Sequence, residues 1–470
     1  MQNIVLVLPL FRQRATVRHR VPSGLLSLAS MIIGHKGVSV EVIDAESAGW
    51  GARQVVEHLS RIQPCAIGVS VCSPCVPAAM ELIRELRVAL PDSLILVGGK
   101  HITHCWKDAA LKFSDADILV RGEGENVALT LANALNSNLS IKETKSIIAE
   151  LPNVWVHEKS TDPILPHPFD LATASPWPFE VLTPSLSFYL DDRMLIEHSR
   201  GCPGHCSYCL ASKDIKRVSF RSHTQVIDTL EQLTERGFGS YFFTDDDFAV
   251  SPLRLQRLCE GILERRISIK FDANVRPDSL LRCSSIATLL RRAGCRCLWL
   301  GIETGSPSML KSYGKGFDID ICERAVALAF SSAEVVRTNW IIGGPLETKA
   351  TVYESINFAK QLRRLGPHVP HISFMVPYLG TPIFGEALSE GLIEVSKGFQ
   401  ALQTTHDRPS IPSCYLSKDE LMELFKEFHE KLFDKDFFAQ APTVVAAEAK
   451  LVLESAGIIQ SQHSQQYTDI

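Results

Sequence analysis

The stretch RGCPGHCSYCLASK, residues 200–213, puts Cys202, Cys206 and Cys209 on one short loop directly after the apolar run MLIEHS (194–199). The spacing is CxxxCxxC. Three thiolates this close can converge on one soft metal centre, and thiolates are the usual ligands of iron–sulfur clusters. A four-iron cluster has four corners. Three local cysteines therefore leave one iron open to the amino and carboxylate groups of a small ligand. The competing reading is zinc, which prefers CxxC pairs and a closed set of four ligands. His205 would have to be the fourth, and it is squeezed between two of the others. The chain has thirteen cysteines, an odd number, and in a reducing compartment no disulfide framework is expected of them.

Working outward, six apolar runs follow one another from Met194: MLIEHS, SYFFTD, SIKFDANV, CLWLGIE, VVRTNWIIGG and HISFMVP, with amphipathic helical stretches between them. Six βα units predict a partial (βα)6 barrel over 193–385, with its chemistry at the carboxyl ends of the strands. Residues 1–135 also alternate: NIVLVLP, VSVEVID, AIGVSV, LILVGG and DILVRG are strands, with helices over 24–33, 53–63 and 78–90. Near-continuous apolar strands in that alternation predict a doubly wound, Rossmann-like α/β domain. Its ligand edge would carry Pro9, Asp44, residues 70–75 and 98–101, and Gly122 to Glu125. Seven prolines over 136–192 mark a connector. Residues 386–470 read as helical (418–435 and 443–456), with a polar, disordered tail of about a dozen residues.

Bulk properties exclude several classes. A net charge of -5 gives no reason to expect nucleic acid, although basic residues gather between Arg12 and Arg20. The start MQNIVLVLPLF has no basic n-region or cleavage site of a secretory signal. The longest uncharged run, 64–80, carries three prolines and reads as strand plus loop, not a membrane span. A cytoplasmic setting is expected.

CxxxCxxC after a barrel strand, with Tyr208 just before the third cysteine, resembles the radical S-adenosylmethionine (SAM) superfamily. The resemblance implies a [4Fe–4S] cluster on Cys202, Cys206 and Cys209 that donates one electron to the SAM sulfonium, giving methionine and a 5′-deoxyadenosyl radical. It places Tyr208 by the adenine. FTDDDF offers Asp245 and Asp246 to the SAM amino group, as charge logic allows. DANVRPD offers Asn274 and Arg276 to its carboxylate, and GIETGS offers Glu303 and Thr304 to the ribose hydroxyls. In IIGGPLET, Gly343 and Gly344 would let backbone approach the adenine. Each has an ordinary alternative: helix cap, surface ion pair or turn.

The N-terminal pattern resembles the cobalamin-binding domains of the same superfamily in PSGLLSLAS, GGKHITH and RGEGE. Ser70, Gly98, Gly99, His101, Gly122 and Glu123 are the implied cofactor contacts. The DxHxxG element of many cobalamin proteins is missing, since residues 44–49 (DAESAG) hold no histidine. Binding without a protein imidazole is expected; the alternative is a domain kept only to shape a substrate cleft. Cys72 and Cys75 read as loop packing, with a redox or metal role as the minor alternative. His104 is weighed in the same way as His101.

Together these imply a cobalamin-dependent radical SAM enzyme that methylates an unactivated carbon of a small-molecule substrate. One SAM would methylate cob(I)alamin, a second would make the radical, and methylcobalamin would deliver the methyl group. A flavodoxin- or ferredoxin-type protein would supply electrons. The rival enzyme class is cyclisation, ring contraction or another rearrangement without net methyl transfer. A third class is an iron–sulfur sensor or electron carrier. Substrate determinants are expected in loops and over 380–440, with Phe374, Tyr378 and Phe384 as pocket or core aromatics.

Overall fold

A computed structural model describes residues 2–10, 20–158, 161–165, 168–190, 193–211, 217–394 and 407–459. The basic run near Arg12 and the polar tail from residue 460 lie outside the described residues. Two compact units divide the chain: residues 1–200 with 217–242, and residues 201–216 with 243–470.

The first unit is built on strands β1 (Gln2–Leu8), β2 (Val38–Asp44), β3 (Ala66–Ser70), β4 (Leu94–Gly98), β5 (Ile118–Val120), β6 (Val154–Trp155) and β7 (Leu182–Thr183). They lie in the order β6-β5-β4-β3-β1-β2-β7, parallel except for β6 on β5. Ile4, Val5, Leu6 and Val7 are all at most 5% exposed, so both faces of β1 are covered, as a parallel sheet requires. One cover is the helix Val76–Ala89. It buries Val76, Ala79, Leu82, Ile83 and Leu86, a stripe at helical spacing. Each large member contributes roughly 1.5–3 kcal/mol by leaving water.

The expected connector does more than connect. Its prolines separate two short strands that finish the sheet: β6 pairs antiparallel with β5 and β7 parallel with β2. Both edges of the sheet are thereby occupied. Two-residue strands carry no alternation to read, which is why composition alone pointed to a linker.

The later strands are β8 (Met194–Ile196), β9 (Ser199–Arg200), β10 (Ser219–Phe220), β11 (Ser240–Phe243), β12 (Lys270–Val275), β13 (Cys295–Glu303), β14 (Val335–Ile342) and β15 (Val369–Phe374). Six form a sheet in chain order, β8-β11-β12-β13-β14-β15, and the pairs from β12 to β15 are parallel. The run 194–199 is not one strand. β8 ends at Ile196, and β9 pairs antiparallel with β10, so the cysteine loop leaves from β9.

The C-terminal helices Lys418–Leu432, Lys435–Gln440 and Thr443–Ser455 pack on the second unit. Glu448, 5% exposed, accepts from both Arg296 (3.3 Å) and Arg337 (3.2 Å) and so ties the last helix to β13 and β14. Phe374 stacks on Phe425 at 4.7 Å, and Phe384 packs with Ala387, Ile393 and Ile411. Both are core residues, whereas Tyr378 is 39% exposed. Among the described residues no helix is long and apolar enough to cross a membrane.

Candidate active site

In the second unit the cysteine loop starts at Gly201, whose φ of +103° suits glycine. Its N–H donates to Asp246 at 2.9 Å. The Gly204 N–H points at the Cys202 sulfur (3.4 Å), and a Cβ on Gly204 would lie 2.4 Å from Arg276 Nη1. Ser207 N–H donates to the Tyr313 carbonyl (2.9 Å), and Ile383 N–H donates to the Ser207 carbonyl (3.1 Å). The loop is thus laced on both sides. Cys206 is buried, Cys202 and Cys209 are half-buried, and the His205 side chain is exposed.

Burial pushes the Cys202 thiol up to about 11, against the Gly204 N–H. Iron binding there must therefore expel a proton. Among the described residues no three His, Cys, Asp or Glu side chains gather closely enough for a single metal ion. A four-iron cluster does not need that, because each thiolate binds a different iron. The donor set, three thiols on a fixed loop beside a guanidinium, fits an anionic cluster.

Arg276, expected to meet the SAM carboxylate, is already engaged. Nη1 lies 3.6 Å from the Cys206 sulfur, Nη2 donates to the Lys315 carbonyl (2.9 Å) and Nε to Asp278 (3.0 Å). Asn274 lies on β12 two residues before it, and Arg276 itself caps the helix that follows the strand. The three aspartates after β11 differ. Asp245 is fully buried, Asp246 is exposed and holds Gly201, and Asp247 accepts from Ser279 (2.5 Å) and from the Arg276 N–H (3.2 Å). Burial raises the Asp247 carboxyl.

Glu303 ends β13 at a register shift with φ +70°, strained for a non-glycine residue. It accepts from Lys315 Nζ at 3.1 Å, and Nζ is also 3.4 Å from the Tyr208 hydroxyl. Lys315 is only 3% exposed; burial opposes its charge, and Glu303 and Cys206 together more than offset that. Thr304, in contrast, spends its hydroxyl on Ser355 (3.0 Å) and the Ser306 N–H (3.1 Å). Gly343 has φ +82°, and a Cβ on Gly344 would lie 2.6 Å from the Tyr313 hydroxyl. Burial pushes the Glu347 carboxyl up to about 7, against the pull of its side-chain partners Thr351 and Tyr313 and the nearby backbone of Gly343 and Gly344. Tyr313 donates to that carboxyl at 3.3 Å, and Tyr208 meets Tyr313 edge-on at 5.6 Å.

Tyr313, Lys315 and Glu347 were absent from the expected set. The signal was Tyr313-Gly314-Lys315-Gly316, a lysine between two glycines of positive φ (+64° and +76°). A Cβ on Gly314 would come within 3.0 Å of the His205 carbonyl.

In the first unit the expected cofactor residues fall at the carboxyl edge of the sheet. Ser70 pairs with Gly98. Gly99, φ +104°, has no room for a Cβ, which would lie 2.6 Å from the Val71 carbonyl. Gly122 has φ +81° and donates its N–H to Thr103 (3.1 Å). His101 is buried between Ser73 Oγ (3.1 Å) and Asp108 (3.3 Å), and burial lowers its imidazole. Glu123 accepts from the Phe169 N–H (2.5 Å) and from Arg200 (2.6 Å). Arg200 also reaches Glu125 (2.8 Å) and Glu197 (2.9 Å), and Ser27 donates to Glu125 (2.8 Å). PSGLLSLAS, RGEGE and the residue before Gly201 therefore meet in one buried ion cluster.

Beyond the end of β1, Pro9, Leu10, Ala45, Trp50, Val55 and Leu82 line a small, open surface pocket. Asp44 is buried and accepts from the Ser47 N–H (3.1 Å) and Tyr189 (2.8 Å), acting as a helix cap. A carboxyl sheet edge where glycines let backbone come close suits a large cofactor such as cobalamin.

Comparison with known proteins agrees. The family model for the B12 binding domain matches residues 16–132, and that for the radical SAM superfamily matches 196–359. The chain is 23% identical, over 90% of its length and 75% of the relative's, to the anaerobic magnesium-protoporphyrin IX monomethyl ester cyclase of Rubrivivax gelatinosus. It is 26% identical to the hopanoid C-3 methylase of Methylococcus capsulatus, over 65% of this chain and 57% of that one. The fold matches the structure of the cobalamin-dependent S-adenosylmethionine radical enzyme OxsB with aqua-cobalamin and S-adenosylmethionine bound. The TM-score is 0.75 at 17% identity, covering 97% of this chain and 72% of that one. The chain is a radical SAM enzyme with an N-terminal cobalamin-binding domain, and its cofactors are a [4Fe–4S] cluster, SAM and cobalamin.

Proposed function

We propose that the chain methylates an unactivated carbon of a small-molecule substrate, with domain limits at 1–135, 136–192, 193–385 and 386–470. The reading is carried by one observation: a laced three-cysteine loop stands in the same chain as a cobalamin-type sheet whose residues 44–49 lack the DxHxxG histidine. The methylase-named relative supports it. When bound, the cluster supplies one electron to SAM, and cobalamin carries a methyl group.

The chain's own residues bind, orient and exclude water. Cys202, Cys206 and Cys209 hold the cluster, and the Arg276 guanidinium balances its charge. Asp245 and Asp246 supply carboxylates for the SAM ammonium, and Asn274 supplies an amide for its carboxylate. Glu303, held by Lys315, is the acceptor for ribose hydroxyls. Tyr208, Gly343 and Gly344 form the adenine side. In the first unit Ser70, Gly98, Gly99 and Gly122 line the cobalamin edge, while His101 and Glu123 stiffen the loops beside it. Electrons come from a flavodoxin- or ferredoxin-type partner, in a cytoplasmic setting. A protected radical site of this kind works by positioning and by excluding solvent.

The cyclase-named relative, spanning 90% of this chain, favours the second reading, rearrangement without methyl transfer. Counting nucleosides separates the two. Methylation yields S-adenosylhomocysteine and 5′-deoxyadenosine in equal amounts with a product one methyl heavier. Rearrangement yields 5′-deoxyadenosine alone, with no change in methyl count.

A further inference from the structure

Cys72-Ser-Pro-Cys75 follows β3 and leads, through the turn Ser73–Cys75, into the fourteen-residue helix Val76–Ala89. The Cys75 N–H donates to the Cys72 carbonyl at 2.9 Å. An i to i+3 turn holds its outer Cα atoms within about 7 Å, the separation a disulfide spans. The turn also brings the two thiols near enough for each to shift the other's acidity. Their surroundings differ: Cys75 is 2% exposed, whereas Cys72 is half-buried at the edge.

The loop is held from behind. Val71 N–H donates to the Gly98 carbonyl (2.8 Å), His101 N–H donates to the Val71 carbonyl (3.0 Å), and Ser73 Oγ lies 3.1 Å from His101 Nδ1. Closing a disulfide here would need little backbone movement.

We propose that Cys72 and Cys75 form a thiol–disulfide exchange site at the carboxyl edge of the first sheet, with a low-molecular-weight disulfide as oxidant. The Cys72 thiolate attacks one sulfur of that disulfide, breaks its S–S bond and expels one thiolate. Cys75 then loses its proton to the expelled thiolate and attacks the Cys72 sulfur, releasing the second thiolate. Two electrons pass from the chain, and the small disulfide ends as two thiols. The order follows from access and acidity. The neighbouring Cys75 side chain brings the Cys72 thiol down to about 7 against burial, while Cys75 is pushed up by its neighbour and by burial. Glu46, the carboxylate facing the pair, raises both. An attacking thiol with a pKa near ambient pH is the effective one.

The test uses the cluster-loaded full chain under anaerobic conditions, in graded glutathione and glutathione disulfide buffers. Acid quenching, N-ethylmaleimide blocking and peptide mass spectrometry then locate each thiol's state. A Cys72–Cys75 disulfide should appear in the wild type, and glutathione should accumulate on Cys72 in Cys75→Ser. Alkylation of Cys72 by iodoacetamide should have a midpoint near pH 7 in the wild type. In Cys75→Ser that midpoint should rise by a unit or more, into the ordinary thiol range. If that variant does not fold, the wild-type disulfide and midpoint decide alone. Alkylation of both cysteines at every buffer ratio, or glutathione on Cys75 in Cys72→Ser, would overturn the proposal.

Discussion

The Arg276 guanidinium lies 3.6 Å from the Cys206 sulfur and anchors its other nitrogens on Asp278 and the Lys315 carbonyl. A cation in that place favours the more negative state of whatever the thiolate holds. In Arg276→Gln the cluster's midpoint potential should fall, on the order of 65–130 mV for the loss of a charged hydrogen bond. Arg276→Lys should keep most of the potential but bind SAM more weakly, since it lacks the planar fork that ties Lys315 in place. Redox titration followed by electron paramagnetic resonance reads the first effect. An unchanged potential in the Gln variant would remove Arg276 from the cluster's environment.

Glu303 and Lys315 form a buried pair, 3.1 Å apart, with Lys315 only 3% exposed. Removing one member leaves the other charge uncompensated, which costs roughly 3–5 kcal/mol. Lys315→Met should therefore destabilise the chain more than the double variant Lys315→Met/Glu303→Gln does. Urea denaturation of the three proteins checks the order. Both variants should lose SAM affinity, measured by isothermal titration on the cluster-loaded protein.

How far these contacts could be read beforehand differs by residue. The cysteine loop, the six later strands and the parallel first sheet were legible, because metal-ligand spacing and apolar periodicity are local. Thr304 sits in GIETGS as expected, but its hydroxyl is taken by Ser355, fifty-one residues away. Nothing near Thr304 announces that partner. Lys315 stands among glycines, a pattern that normally marks an exposed turn. Its burial depends on Glu303, which only the folded barrel brings close. Glu123 was read toward cofactor, while Arg200, the partner that claims it, lies seventy-seven residues on.

Glu347 carries a pH signature. Its carboxyl is pushed up to about 7 from an ordinary value near 4.5, chiefly by burial. A carboxyl whose folded pKa is raised gives stability that is fully present below the unfolded pKa. That stability is lost as pH rises through the folded one, here from about 4.5 to about 7. The loss is on the order of 3 kcal/mol. Glu347→Gln should remove this component, so its melting temperature should change less between pH 5 and 8 than that of the wild type. Parallel curves for the two proteins would mean that Glu347 is already ionised in the fold.

The central claim is that Cys202, Cys206 and Cys209 hold a site-differentiated iron–sulfur cluster that cleaves SAM. Its most direct test compares anaerobically reconstituted wild type with the variant carrying Cys→Ala at all three positions. The wild type should bind about four iron per chain and release 5′-deoxyadenosine from SAM with a chemical reductant. The triple variant should lose both the visible chromophore and the cleavage, while circular dichroism shows its fold retained. Reductive cleavage that persists in the folded triple variant would contradict the claim.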